Sequence, residues 1–173
     1  MAQLKNPVTA SDHMQGDAQA AVALVEYGDY QCPACGEVYL LVKRLQEYFG
    51  KDLCFVFRNF PLTEVHPQAE AAAETAEFAA MHGQFWQAHD ALYENQEALG
   101  ATFYLELVET LHLSAADLRQ AVEEGNCRAR VRADFSGGVR SGVNGTPTFF
   151  INGQRHDGGL DLESLVAVIE AFR

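Results

Sequence analysis

Two cysteines separated by a proline and an alanine, Cys32-Pro33-Ala34-Cys35, stand between an apolar run and an amphipathic stripe, and no other feature constrains the chain as much. The run Ala21 to Tyr27 (AVALVEY) has the length and apolar content of a buried strand. Beyond the cysteines, Val38, Leu41, Val42, Leu45 and Phe49 recur on one helical face, and Gly50 stands where a left-handed C-cap would end the helix. Leu53 to Asn59 (LCFVFRN) reads as a second buried strand. The chain therefore opens as a β-α-β unit with a dithiol at its first turn.

That location has chemical consequences. A helix begins with unpaired N–H groups and the positive end of its dipole, so a cysteine there is stabilised as thiolate, the form that attacks disulfides. Cys32 holds this position. Pro33 suits a helix's first turn, where its missing donor would have had no partner, and the spacing lets Cys35 return under Cys32 to close a small disulfide ring. A zinc site would need four ligands, and no second C-x-x-C or H-x₃₋₅-H pattern accompanies the pair. Glu26, six residues before Cys32, has two readings. Buried in its strand, it would have a raised pKa and could take the proton of Cys35; at a half-exposed strand end it would have no role.

The 173 residues suit a single domain, 1–173. Charge divides it. Twelve acids and one base, Arg119, fall within 61–125, a local charge of −11, whereas the remaining residues are close to neutral. Helical signals fill this acidic stretch. Pro67 suits a first helical position ahead of Gln68 to Met81, with Gly83 as a stop; further runs span Gln84 to Leu99 and Thr102 to Leu111, and another starts at Ser114 with Asp117 three residues on. An excess of 24 acids over 12 bases, without a basic stripe, argues against nucleic acid as a partner. No apolar run reaches the roughly 18 residues of a membrane span, and Met1 to Ala20 is too polar for a signal peptide. The expected location is the cytoplasm; a chain whose signal had been removed would read the same way and be periplasmic or secreted.

After the acidic stretch, Asn126 is placed to cap a helix from Cys127 towards Arg140, with Gly137 and Gly138 weakening its end. Asn152-Gly153, between Thr148 to Asn152 and Gln154 to Asp157, signals a hairpin. A last helix starts near Asp161, with Leu162, Leu165, Val166, Ile169 and Phe172 as its stripe. Gly145-Thr146-Pro147-Thr148 opens the hairpin, and an average X-Pro bond is cis only about 5–6% of the time, which favours trans. The order is β-α-β, a helical block, then α-β-β-α.

The segments SDHMQGD, VEYGDYQCPAC, FRNFPL, HPQAEAAAETA, GQFWQAHDALY and GTPTFFINGQ together resemble the DsbA family of thiol-disulfide oxidoreductases, most nearly the DsbA-like domains that include those fused to sodium/proton antiporters. The resemblance implies an α/β, thioredoxin-like fold, with a core of 18–60 and 126–173 and an all-helical insertion of 61–125. It implies a redox-active Cys32-Cys35 disulfide, Glu26 as the buried acid, a cis Pro147 facing the pair, and substrate contact at Pro33, Ala34, Thr146 and Pro147, with the Thr146 backbone pairing with an extended peptide. Protein or small-molecule disulfides and dithiols are the implied partners, without cofactor or metal. One departure matters: strongly oxidising members carry His where this chain has Ala34, so a less depressed Cys32 pKa and a less oxidising disulfide are expected.

Other residues have plainer readings. His66, His82 and His89 lack a metal-binding pattern such as H-E-x-x-H, and His66 reads as an N-cap or surface residue. Phe85, Trp86, Leu92 and Tyr93 are expected to pack the helical block, Cys54 to be a small buried apolar residue, and Cys127 an unpaired thiol near a helix start. The rival to a redox enzyme is a binding module that recognises partners through the acidic helical face, with the cysteine pair structural or zinc-bound.

Overall fold

The computed structural model describes residues 2–173. Five strands form one sheet: β1 (His13–Gln15), β2 (Val22–Gly28), β3 (Leu53–Asn59), β4 (Thr148–Ile151) and β5 (Gln154–Arg155), in the order β1-β3-β2-β4-β5. β2 and β3 run parallel, joined by helix α1 (Pro33–Phe49), and the other pairings are antiparallel. Four helices follow β3: α2 (Ala69–Ala80), α3 (Phe85–Glu94), α4 (Ala101–Thr110) and α5 (Ala115–Glu124). Then α6 (Arg128–Arg140) returns to the sheet, and α7 (Leu162–Phe172) closes the chain.

The near-continuous apolar content of the central strands follows from cover on both faces. Successive side chains alternate faces, so Val22 and Leu24 of β2, Leu53, Phe55 and Phe57 of β3, and Phe149 and Ile151 of β4 join one core with α1 and the helices after β3. Val25, Tyr27, Cys54, Val56 and Phe150 form a smaller core on the opposite face with Phe60 and Val143. The same alternation puts Glu26 on the face of Leu24, under α1. Leu45, fully buried on α1, typifies the stripe that seats this helix, and truncating such a residue to Ala costs ~2–5 kcal/mol. The helices after β3 share the large core, so the block is packed into the sheet domain rather than tethered to it.

Several local expectations change. A strand at His13–Gln15 precedes residue 18, and only its pairing with β3 makes it a strand, because three residues carry too little pattern to read. Pro67 lies in the turn before α2, which starts two residues later. The Gln84 to Leu99 run breaks at Asn95 (φ −131°, ψ 39°), whose side chain turns back to the Ala91 carbonyl, and a 3-10 turn at Gln96–Ala98 follows. Cys127, not Asn126, is the N-cap of α6; the Asn126 amide instead meets Glu124. Gly50 ends α1 at φ 52°, ψ −125°, outside the left-handed helical well. Gly137 and Gly138 lie within α6, and a Cβ on Gly138 would come within 2.8 Å of the Phe60 ring, so the glycine permits close approach to β3. The hairpin turns at Asn152 (φ 47°) and Gly153 (φ 82°), both left-handed as a two-residue turn requires, but β5 stops at Arg155.

Candidate active site

Cys32 caps α1 with extended backbone (φ −67°, ψ 122°), and Pro33 follows as the first helical residue. This cap geometry turns Sγ over the first turn, where it accepts the Cys35 N–H at 3.4 Å. Opposite stands Thr146, whose peptide bond to Pro147 is cis; the thiol form of Cys32 donates to the Thr146 carbonyl at 3.6 Å. The Thr146 hydroxyl is buried without a hydrogen-bond partner, near enough to Cys32 to favour its thiolate. Pro33 and Ala34 are exposed, Thr146 and Pro147 half-buried, and Cys32 itself is 5% exposed.

The two cysteines differ in acidity for identifiable reasons. The Cys35 thiol, the Thr146 hydroxyl and the Cys35 N–H outweigh burial and the negative charge of Asp29, lowering the Cys32 pKa to about 5. Cys35 is fully buried, and burial, Cys32 and Glu26 push its pKa far above the ordinary thiol range. The pair thus consists of an outer thiolate and an inner thiol. Glu26 is 2% exposed in the middle of β2, opposite Phe57 and Phe149, which removes the strand-end reading. Burial, and then the Cys32 charge, raise its pKa to about 8, and its Oε1 has no hydrogen-bond partner. A carboxyl group here can hold or take a proton near neutral pH.

Residues that no local pattern singles out hold the segment before Cys32. Asp29, 1% exposed, accepts from the N–H groups of Gln31 and Cys32 on one oxygen and from Leu62 N and His66 Nδ1 on the other. Gln68 N donates to the Gln31 side chain, and Gln96 Nε2 donates to the carbonyls of both Tyr30 and Cys32 at 2.9 Å. Their partners are mostly backbone atoms, which leave no signature in the sequence. His66 is therefore neither an N-cap nor a free surface residue; Asp29 draws it inwards. Tyr30 OH meets His89 Nδ1 at 2.9 Å, and His82 is exposed beside the Phe78 ring. Phe85 and Trp86 reach beyond the helical block to the sheet edge, where Phe85 stacks on His13 and Trp86 donates to the Met14 carbonyl. Leu92 and Tyr93 are buried.

Cys54 and Cys127 are free and buried in separate cores. A cavity of 350 Å³ begins at Ala34 and runs along Leu40, Leu41 and Leu160. Cavities of 560 and 540 Å³ are lined in part by Ser11, Asp12 and Arg130, and neither Cys32 nor Cys35 lines them. Among the described residues no three His, Cys, Asp or Glu side chains gather to hold a metal ion, and no helix is long and apolar enough to cross a membrane.

Comparison with known proteins agrees with this fold. The family model described as Thioredoxin matches residues 8–171. The chain is 41% identical over 162 residues to the Na(+)/H(+) antiporter NhaA 1 of Salinispora arenicola, covering 93% of this chain and 25% of that protein. It is 37% identical to NhaA 1 of Mycobacterium sp. (strain KMS), covering 94% and 27%. The chain thus spans about a quarter of the length of the curated relatives it matches. Among solved structures, oxidised BdbD from Bacillus subtilis has a TM-score of 0.87 at 22% identity, covering 99% of this chain and 97% of that one. Wolbachia pipientis alpha-DsbA1 has a TM-score of 0.83 at 19% identity, covering 98% and 94%.

Proposed function

The chain belongs to the thioredoxin family, and from that premise and its likeness in fold to BdbD and alpha-DsbA1 we propose that it exchanges disulfides with protein or small-thiol substrates through Cys32 and Cys35. The observation that carries this reading is the opposed acidity of two cysteines at one helix N-terminus, with Cys32 drawn down to about 5 and Cys35 driven up. In the reducing direction the Cys32 thiolate attacks a substrate disulfide. A Cys32–substrate disulfide forms, and the other substrate sulfur leaves as thiolate. Glu26 then takes the Cys35 proton, and the Cys35 sulfur attacks Cys32 Sγ. This forms the Cys32–Cys35 disulfide and releases the second substrate thiolate, with two electrons passed to the substrate. With a substrate dithiol and the oxidised pair the same steps run in reverse. Thr146 and Pro147 flank the attacked sulfur, and the free edge of the Thr146 backbone suits an extended peptide.

Replacing Cys35 by Ser leaves the attacking thiolate without its resolving partner. Mixed disulfides through Cys32 are expected to accumulate with oxidised glutathione or a disulfide-containing protein, read by mass spectrometry; no adduct at Cys32 overturns the mechanism. A potential more negative than the about −120 mV of DsbA is expected from the absence of a His at residue 34. Stoichiometric zinc in the isolated protein, with both thiols blocked, would favour the binding-module reading instead.

A further inference from the structure

The carboxylate of Asp29 joins two segments that are far apart in the chain. Oδ1 accepts from Gln31 N at 2.8 Å and Cys32 N at 3.2 Å, and Oδ2 accepts from Leu62 N at 2.9 Å and His66 Nδ1 at 2.8 Å. The first two donors belong to the turn that presents the attacking sulfur. The other two belong to the turn from Leu62 to His66, which closes with His66 N on the Leu62 carbonyl. A buried carboxylate is tolerated only when its lone pairs are engaged, and here four donors engage them. Its charge also works against the Cys32 thiolate. Reactivity alone does not account for an acid at this point; holding the turn in place does.

We propose that Asp29 and His66 form a positioning pair for Cys32, in which Asp29 fastens the turn carrying the nucleophile to the Leu62–His66 turn, and His66 acts on Cys32 only through Asp29, by drawing off part of the carboxylate's charge. This rests on Cys32 and Cys35 being a redox pair. The pair makes a prediction that a general packing role does not make: its two members, when replaced, move the redox equilibrium in opposite directions. In D29N the amide oxygen still receives the N–H groups of Gln31 and Cys32, the amide nitrogen donates to the His66 ring and gives up the Leu62 N–H, and the charge is gone, which favours the reduced protein with its Cys32 thiolate. In H66A the carboxylate loses a donor, its charge concentrates, and the thiolate is disfavoured.

The experiment is the equilibrium of the full chain with reduced and oxidised glutathione at pH 7, with melting temperatures recorded alongside. D29N is expected at least about threefold more oxidising than the parent and H66A about threefold less. H66N, whose amide nitrogen takes the place of the ring Nδ1, is expected to return to within about twofold of the parent. The double variant D29N/H66A should match D29N, because His66 has nothing left to act on. Shifts of D29N and H66A in the same direction, a fully additive double variant, or unchanged equilibria with lowered melting temperatures each overturn the pair. Should D29N fail to fold, H66A and H66N decide: an unmoved H66A, or an H66N as displaced as H66A, overturns it. A parent that does not equilibrate with glutathione at all defeats the redox reading itself, whereas a cycling parent with unmoved variants defeats only the pair.

Discussion

Cys32 and Cys127 are both N-caps of helices and both buried, yet their thiols move in opposite directions. Cys32 falls to about 5; Cys127 rises to about 11, through burial and then the carboxylates of Glu74 and Glu77. The difference lies first in the Cys35 thiol and the Thr146 hydroxyl beside Cys32, and then in the backbone. At Cys32 a ψ of 122° aims Sγ at the Cys35 N–H, whereas at Cys127 a ψ of −28° continues the helix and the side chain caps nothing. A helix N-terminus by itself does not make a thiol reactive. Donors aimed at the sulfur do, and at Cys32 they outweigh the Asp29 charge.

The strongest way to break this comparison is to remove each sulfur in turn. Cys32→Ser is expected to lower glutathione-coupled disulfide exchange at least about a thousandfold, while Cys127→Ser stays within about twofold of the parent. A large loss from Cys127→Ser would show that the second capping cysteine shares the chemistry.

Glu26 extends the comparison to carboxylates. Its folded pKa of about 8 exceeds the ordinary 4.5, so below about 4.5 it is protonated in both states and does not affect stability. As pH rises from there to 8, the unfolded chain ionises while the fold holds its proton, and stability is lost across that window. Glu26→Gln is expected to gain about 3 kcal/mol at pH 7 in urea unfolding of the reduced protein, with the gain gone near pH 4.5. Equal stability of variant and parent at both pH values would mean that burial does not hold this proton. The same variant should slow the release of mixed disulfides by Cys35.

The smallest effect isolates the aimed donor. Thr146→Val removes the hydroxyl and keeps the shape of the side chain, and the Cys32 thiolate transition, near pH 5 by absorbance at 240 nm, is expected to move up by roughly half to one unit. An unmoved transition would leave Cys35 as the only donor that matters.

Much of the fold was legible because it is local. The stripe from Val38 to Phe49, the Cys32-Pro33 helix start, the apolar strands and the Asn152-Gly153 turn are written in residues that are neighbours in the chain. Ser114 capping α5 through the Asp117 N–H belongs with them. The errors fall where a distant partner outweighs local propensity. β1 exists through its pairing with β3, and His66 turns inward to an aspartate 37 positions away. Gln96 gives its amide to backbone carbonyls at Tyr30 and Cys32, and backbone acceptors look alike in every sequence.

By itself, the sequence determined that a dithiol sits at a strand-to-helix junction and that nearly all excess negative charge falls within 61–125. Spacing and periodicity suffice for these, because covalent geometry enforces them over a few residues. The sequence also placed Cys32 at the helix start that favours a thiolate, but only the tertiary structure supplied the groups that lower Cys32 and raise Cys35. These groups come from afar as well as from the first turn of α1: Thr146 meets Cys32 across 114 positions. Hydrogen bonds and desolvation act over a few ångströms of space, and distance along the chain does not report that.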